Sequence, residues 1–177
     1  MEKCVKHETE MIEKLNEACV KARFDAFIKN IIELQNEFSF VPLLYGSLGL
    51  EVLTGEWLNP KDIDILIPDL YINSEKWEVF KSYLESLDYI LIDLHEHTFK
   101  KDNILFSYAS IENLEEFAGI KESEIEEKTA SNIHYKLLNL KQYLAVYEAS
   151  LKDGYRQNKK EKDDLNKIEL IKKLIKK

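Results

Sequence analysis

LLYGSLGLEVLTGEWLNPKDIDILIP runs from Leu43 to Pro68 and holds Gly46, Gly49 and Gly55, three of the five glycines in the chain. Glycine tolerates backbone shapes and close approaches that other residues cannot. A scarce residue type gathered in one segment marks that segment as special. The run Val41–Tyr45, entered at Pro42, reads as a short buried strand. Leu48–Leu53 reads as a short helix. The strand therefore delivers Gly46 and Ser47 to a helix start, where unpaired N–H groups and a hydroxyl make an anion site. Asp62-Ile63-Asp64 follows after a spacer of fourteen residues. Asp62–Ile67 alternates acid and isoleucine, as a half-buried strand does. Residues i and i+2 of a strand share a face, so Asp62 and Asp64 point together while Ile63, Ile65 and Ile67 enter the core. Two neighbouring carboxylates repel each other unless a cation neutralises them, and hard oxygen ligands suit Mg²⁺ or Mn²⁺.

Outward from this segment the elements are regular. Phe24, Phe27, Ile28, Ile31 and Ile32 recur with helical spacing. Ile12, Leu15 and Cys19 mark a weaker helix before them. Trp77, Phe80, Leu84 and Leu87 predict a helix with Asn73 or Ser74 as its N-cap. Tyr89–Leu94 and Ile104–Ala109 read as strands, with a turn at Lys101–Asn103. Ser123–Glu126 fits a capping box that opens a helix. Leu140, Tyr143, Leu144, Tyr147 and Leu151 form a stripe closed by Gly154. Leu165, Ile168, Leu170, Ile171 and Leu174 form the last helix. The expectation is one α/β (α+β) domain over 1–177, with its core at about 22–120 and C-terminal helices over about 123–177.

Composition narrows the function classes. The chain has 177 residues, 45% hydrophobic and 33% charged, with a formal net charge of −8. Mean hydropathy is −0.36. Residues 156–177 carry nine basic and four acidic side chains, a net of +5, which leaves −13 on residues 1–155. An acidic body argues against a broad nucleic-acid surface, which needs positive charge to neutralise phosphates. No apolar run approaches the ~20 residues of a membrane span. The charged N-terminus has no apolar signal region. Cys4 and Cys19 cannot build a disulfide framework. These features lead us to expect a cytoplasmic protein with no membrane partner.

Gly46-Ser47, the spacer and Asp62-Ile63-Asp64-Ile65-Leu66 together resemble the signature of the nucleotidyltransferase superfamily. The likeness is greatest to the aminoglycoside and lincosamide adenylyltransferase group and its small relatives. Arg156…Lys162-Asp163-Asp164-Leu165 is similar to a basic–Asp–Leu pattern near the C-terminus of such proteins. The resemblance implies a mixed sheet flanked by helices. It implies an NTP held by Gly46 and Ser47, with Lys61 beside its phosphates, and a metal on Asp62 and Asp64. It implies Mg²⁺-dependent transfer of a nucleoside monophosphate to a hydroxyl or phosphate acceptor. Family members take a third acid from a later strand. Asn103–Ala109 offers none, so Asp93 and Glu96 are the nearest substitutes, with Asp93 facing the cleft provided its strand lies beside Asp62–Ile67. The same residues fit a second reading: a nucleotidyltransferase fold that has lost catalysis and regulates a partner, as in a toxin–antitoxin pair.

Overall fold

The computed structural model describes residues 2–152 and 161–176, with side chains over 16–152 and 163–176. Six helices and seven strands are assigned among them. Helix α1 (Glu2–Gln35) joins the two N-terminal apolar patterns without a break. It is followed by β1 (Leu43–Leu44), α2 (Gly46–Thr54), β2 (Ile63–Ile67) and α3 (Trp77–Ser86). Next come β3 (Ile90–Asp93), β4 (Thr98–Lys101), β5 (Ile104–Ser110) and α4 (Asn113–Ala118). The chain ends with β6 (Glu126–Ala130), β7 (Ile133–Leu137), α5 (Leu140–Lys152) and α6 (Glu161–Ile175). No helix of the described residues is long and apolar enough to cross a membrane.

The strands form one mixed sheet in the order β3-β4-β5-β2-β1-β7-β6. β2 runs antiparallel to β1 and parallel to β5, and β1 runs parallel to β7. The alternation read in Asp62–Ile67 explains the layering. Ile63, Ile65 and Ile67 pack with Phe27, Ile31 and Phe80 on the face covered by α1 and α3. Leu66 packs on the opposite face with Leu50, Tyr143, Ile168 and Ile171. Asp64 shares that second face, beneath α5 and α6.

Several expectations need correction. Ser123–Glu126 opens no helix: residues 122–124 make one 3₁₀ turn, and β6 and β7 follow as a hairpin. Ser131 and Asn132, with φ of 49° and 64°, form its turn, a conformation that Asn tolerates. The helical C-terminal part therefore starts at Leu140. Thr98–Lys101 is a separate strand, turned at Asp102 and Asn103 with φ of 50° and 64°. The N-cap of α3 is Lys76, without a side-chain cap, because Ser74 is engaged in a turn: its hydroxyl donates to the Leu70 carbonyl and accepts from the Lys76 N–H. Gly154, Arg156, Lys159 and Lys160 lie outside the described residues, as does the Lys162 side chain.

Candidate functional site

β1 and β2 set the site. Their antiparallel pairing aligns Leu44 with Ile65, and the Tyr45 N–H donates to the Asp64 carbonyl at 2.9 Å. The chain then turns at Gly46, with φ of +64°, directly into α2. A side chain could not sit there: a Cβ on Gly46 would lie 1.9 Å from Asp64 Oδ2. Gly46 is thus the residue that lets the first turn of α2 close over the Asp64 carboxylate. The N–H groups at the start of α2 and the Ser47 hydroxyl are donors beside a carboxylate.

Asp62 lies just before β2 and Asp64 within it, and both are half-buried. They line one inner cleft of about 130 Å³ together with Tyr45, Gly46 and Ser47. The four residues Gly46, Ser47, Asp62 and Asp64, drawn from two separated segments, are therefore brought together. Lys61 is exposed and lines an outer groove of about 640 Å³ that shares Ser47, Asp62 and Lys167 with the cleft.

Asp93 is not brought to this site. Its strand does not lie beside β2, since β4 and β5 intervene. Asp93 pairs with Thr98, Thr98 with Ser107, and Ser107 with Asp64. Three strand spacings separate Asp93 from Asp64, about 14 Å. Asp93 Oδ1 accepts the N–H groups of His95 and Glu96, so this carboxylate holds the β3–β4 turn. The residue next to Asp64 on β5 is Ser107, bonded to Thr98 at 2.9 Å.

Helices α5 and α6 close the cleft with side chains not singled out as binding residues from the sequence. Asp164 is buried, accepts a 2.8 Å hydrogen bond from Ser150, and lines the cleft beside Lys167. Lys167 Nζ lies 3.9 Å from Asp164 Oδ1 and 5.0 Å from the centre of the Tyr147 ring. Asp164 stands four and seven residues before Ile168 and Ile171, the buried residues of α6. The basic–Asp–Leu pattern Lys162-Asp163-Asp164-Leu165, which contains Asp164, was the available signal. Tyr143 and Tyr147, from the apolar stripe of α5, are buried and also line the cleft. The Tyr143 hydroxyl is buried without a hydrogen-bond partner, while the buried Tyr147 hydroxyl lies beside the Ser47 side chain. Burial pushes both phenols far above their ordinary range, helped at Tyr147 by Tyr45 and opposed by the adjacent Ser47 side chain.

No group of three or more His, Cys, Asp or Glu converges as a metal site among the described residues. Asp62 and Asp64 are a two-carboxylate donor set. That suits a cation such as Mg²⁺, which keeps much of its coordination for water and phosphate oxygens.

The chain is 42% identical over 152 residues to the protein described as "Uncharacterized protein YnaI" of Bacillus subtilis (strain 168), a match spanning 86% of this chain and 97% of that protein. No family model and no solved structure matches the chain.

Proposed function

The chain belongs to the family of YnaI of Bacillus subtilis, and we propose that this family member is a Mg²⁺- or Mn²⁺-dependent nucleotidyltransferase acting on an NTP. One observation carries the reading: Gly46 and Ser47 at the start of α2 share a single cleft with Asp62 and Asp64. Phosphate donors and paired carboxylates in contact are what transfer of a nucleoside monophosphate requires. When bound, the divalent cation neutralises phosphate charge that two carboxylates would otherwise repel. Asp62 and Asp64 hold it. Ser47 and the first N–H groups of α2 orient the phosphates. Lys167 lines both the cleft and the groove and supplies positive charge to the leaving pyrophosphate. A new bond forms between the acceptor oxygen and the α-phosphorus as the bond to the bridging oxygen breaks. A hydroxyl acceptor must also lose a proton, and because Asp62 and Asp64 are engaged with the cation, solvent in the outer groove takes it on this reading.

The second reading is a binding module with the same cleft but without transfer. Ser107 favours it, since it occupies the β5 position beside Asp64, on the kind of neighbouring strand from which the resemblance leads one to expect a third acid. Thermal-shift measurements with each NTP, with and without Mg²⁺, test what the two readings share. A rise in Tm that needs metal and nucleotide together is expected. Equal curves under all conditions would remove both. Release of pyrophosphate in the presence of hydroxyl and phosphate acceptors then separates enzyme from binding module.

A further inference from the structure

The two edges of the seven-stranded sheet are unlike. β6 is one edge, and its Glu126, Glu127 and Lys128 guard it with charge, a common device against strand-to-strand association. β3 is the other edge, and it reads Ile90-Leu91-Ile92-Asp93. Ile90 and Ile92 are 65% and 50% exposed, and Leu94, just past the strand, is 61% exposed. Leu91 turns the other way, packs against the core and stands opposite the buried Phe99. Ile90 and Ile92, two residues apart, therefore share the opposite face. The backbone of this edge has a defined polarity as well. Antiparallel ladders alternate between hydrogen-bonded and non-bonded pairs. The Tyr108 N–H donates to the His97 carbonyl between β5 and the start of β4. By that alternation Phe99 and Lys101 turn their backbone groups toward β5, and Lys100 turns its groups toward Ile90 of β3. Leu91, opposite Phe99, is left with its N–H and C=O aimed out of the sheet.

We propose that β3 is the contact strand of a homodimer, in which two copies join edge to edge through antiparallel β3 strands about a two-fold axis at Leu91. The outward backbone groups set this register: Leu91 and the partner's Leu91 exchange both N–H to C=O bonds. Ile90 then lies opposite the partner's Ile92, and Ile92 opposite the partner's Ile90, so four isoleucines gather on one face across the axis. The charges fit the same register. Asp93 meets the partner's Tyr89 and Asp88 meets the partner's Leu94, so no two acids stand directly opposite. A second copy is therefore the occupant this edge matches, because the strand is complementary to itself in the register its backbone sets. The register shift between Leu91 and Asp93 bends the strand and keeps the pairing short. An interface of so few residues lies below about 1,200 Å², so the dimer exchanges with monomer. The charged β6 edge offers no second apolar strand, and association closes at two copies rather than growing into a fibre.

Sedimentation equilibrium of the full chain tests the dimer, and cross-linking tests its register. The wild-type chain shows a reversible monomer–dimer equilibrium. Ile92→Lys places a charge on the apolar face and weakens the dimer at least about tenfold, while its Tm stays near wild type because the side chain is half exposed. Ile92→Thr keeps a β-branched side chain and weakens the dimer less, which serves if the Lys variant fails to fold. For the register, Ile90→Cys and Ile92→Cys are made separately in a chain with Cys4→Ser and Cys19→Ser. Ile90 and the partner's Ile92 form a non-bonded pair, with Cα atoms about 4.5 Å apart, within reach of a disulfide. Mild oxidation therefore cross-links the mixture of the two variants, and neither variant alone. A chain that stays monomeric up to about 0.5 mM overturns the proposal. So does a dimer that Ile92→Lys leaves intact, since its contact lies elsewhere. Equal cross-linking of the mixture and of each variant alone contradicts the two-fold pairing at Leu91.

Discussion

The Asp64 carboxylate fills the space that a side chain on Gly46 would need: a Cβ there lies 1.9 Å from Oδ2 and 2.8 Å from Cγ. The two residues are eighteen positions apart and meet because β1 and β2 are antiparallel neighbours. Gly46→Ala therefore carries two costs. One is backbone strain at positive φ, about 1–2 kcal/mol. The other is the collision with Asp64. An Asp64→Ala background removes the carboxylate and leaves the strain with one tight contact, 3.1 Å to the Cβ of residue 64. A double-mutant cycle by denaturant unfolding should give a coupling of about 1–3 kcal/mol between the sites. Additive effects would mean that the two side-chain positions do not touch.

The buried, unpartnered hydroxyl of Tyr143 makes a different prediction. Tyr143 is fully buried, and its oxygen lies where a Cβ on Gly49 would be 2.0 Å away. An unsatisfied buried polar group costs about 1–3 kcal/mol. Tyr143→Phe should leave stability unchanged or raise it by up to about 1 kcal/mol, since it removes a group that gains nothing from folding. The same variant should weaken Mg²⁺–nucleotide binding several-fold if the hydroxyl meets the ligand. A stability loss without an affinity loss would make Tyr143 a packing residue only.

Glu51 gives the fold a pH dependence. Burial raises its carboxyl above the ordinary value of 4.5, against the Leu58 and Asn59 N–H groups and the Arg23 charge, which lower it. Between pH 4.5 and the raised folded value, the folded chain holds a proton that the unfolded chain has released. The contribution is complete below pH 4.5 and is lost as pH rises through the folded value. Glu51→Gln removes this loss. Its Tm relative to wild type should be more favourable at pH 7 than at pH 4. Parallel Tm curves across that range would mean that the Glu51 carboxyl titrates normally.

The contrast between legible and illegible parts has physical causes. Ile63, Ile65 and Ile67 alternate with Asp64 and Leu66, and a strand with one acid-bearing face leaves little choice of orientation. The β1–α2–β2 unit and its four converging residues could be read for that reason. The β6–β7 hairpin could not. Ser123 and Glu126 imitate a helix start, and Glu126–Ala130 is a solvated edge strand with no apolar face to betray it. The Ser131-Asn132 turn was the remaining signal. Asp93 was misplaced because strand order is a long-range property: nothing local states that β4 inserts between β3 and β5. Asp164 and Lys167 reach the cleft only through the docking of α6 on α5, which the spacing of one helix cannot express.

Isothermal titration of Mg²⁺–ATP into wild type, Asp62→Asn and Asp64→Asn tests the central claim most directly. Each substitution keeps the shape of the side chain and removes one negative charge. Wild type should bind Mg²⁺–ATP only when the metal is present, and each variant should lose at least about tenfold in affinity, or ~1.4 kcal/mol. Melting temperatures should stay at or above the wild-type value, because the carboxylates repel each other without a cation. Wild-type affinity in both folded variants would contradict the assignment of this cleft as a metal–nucleotide site.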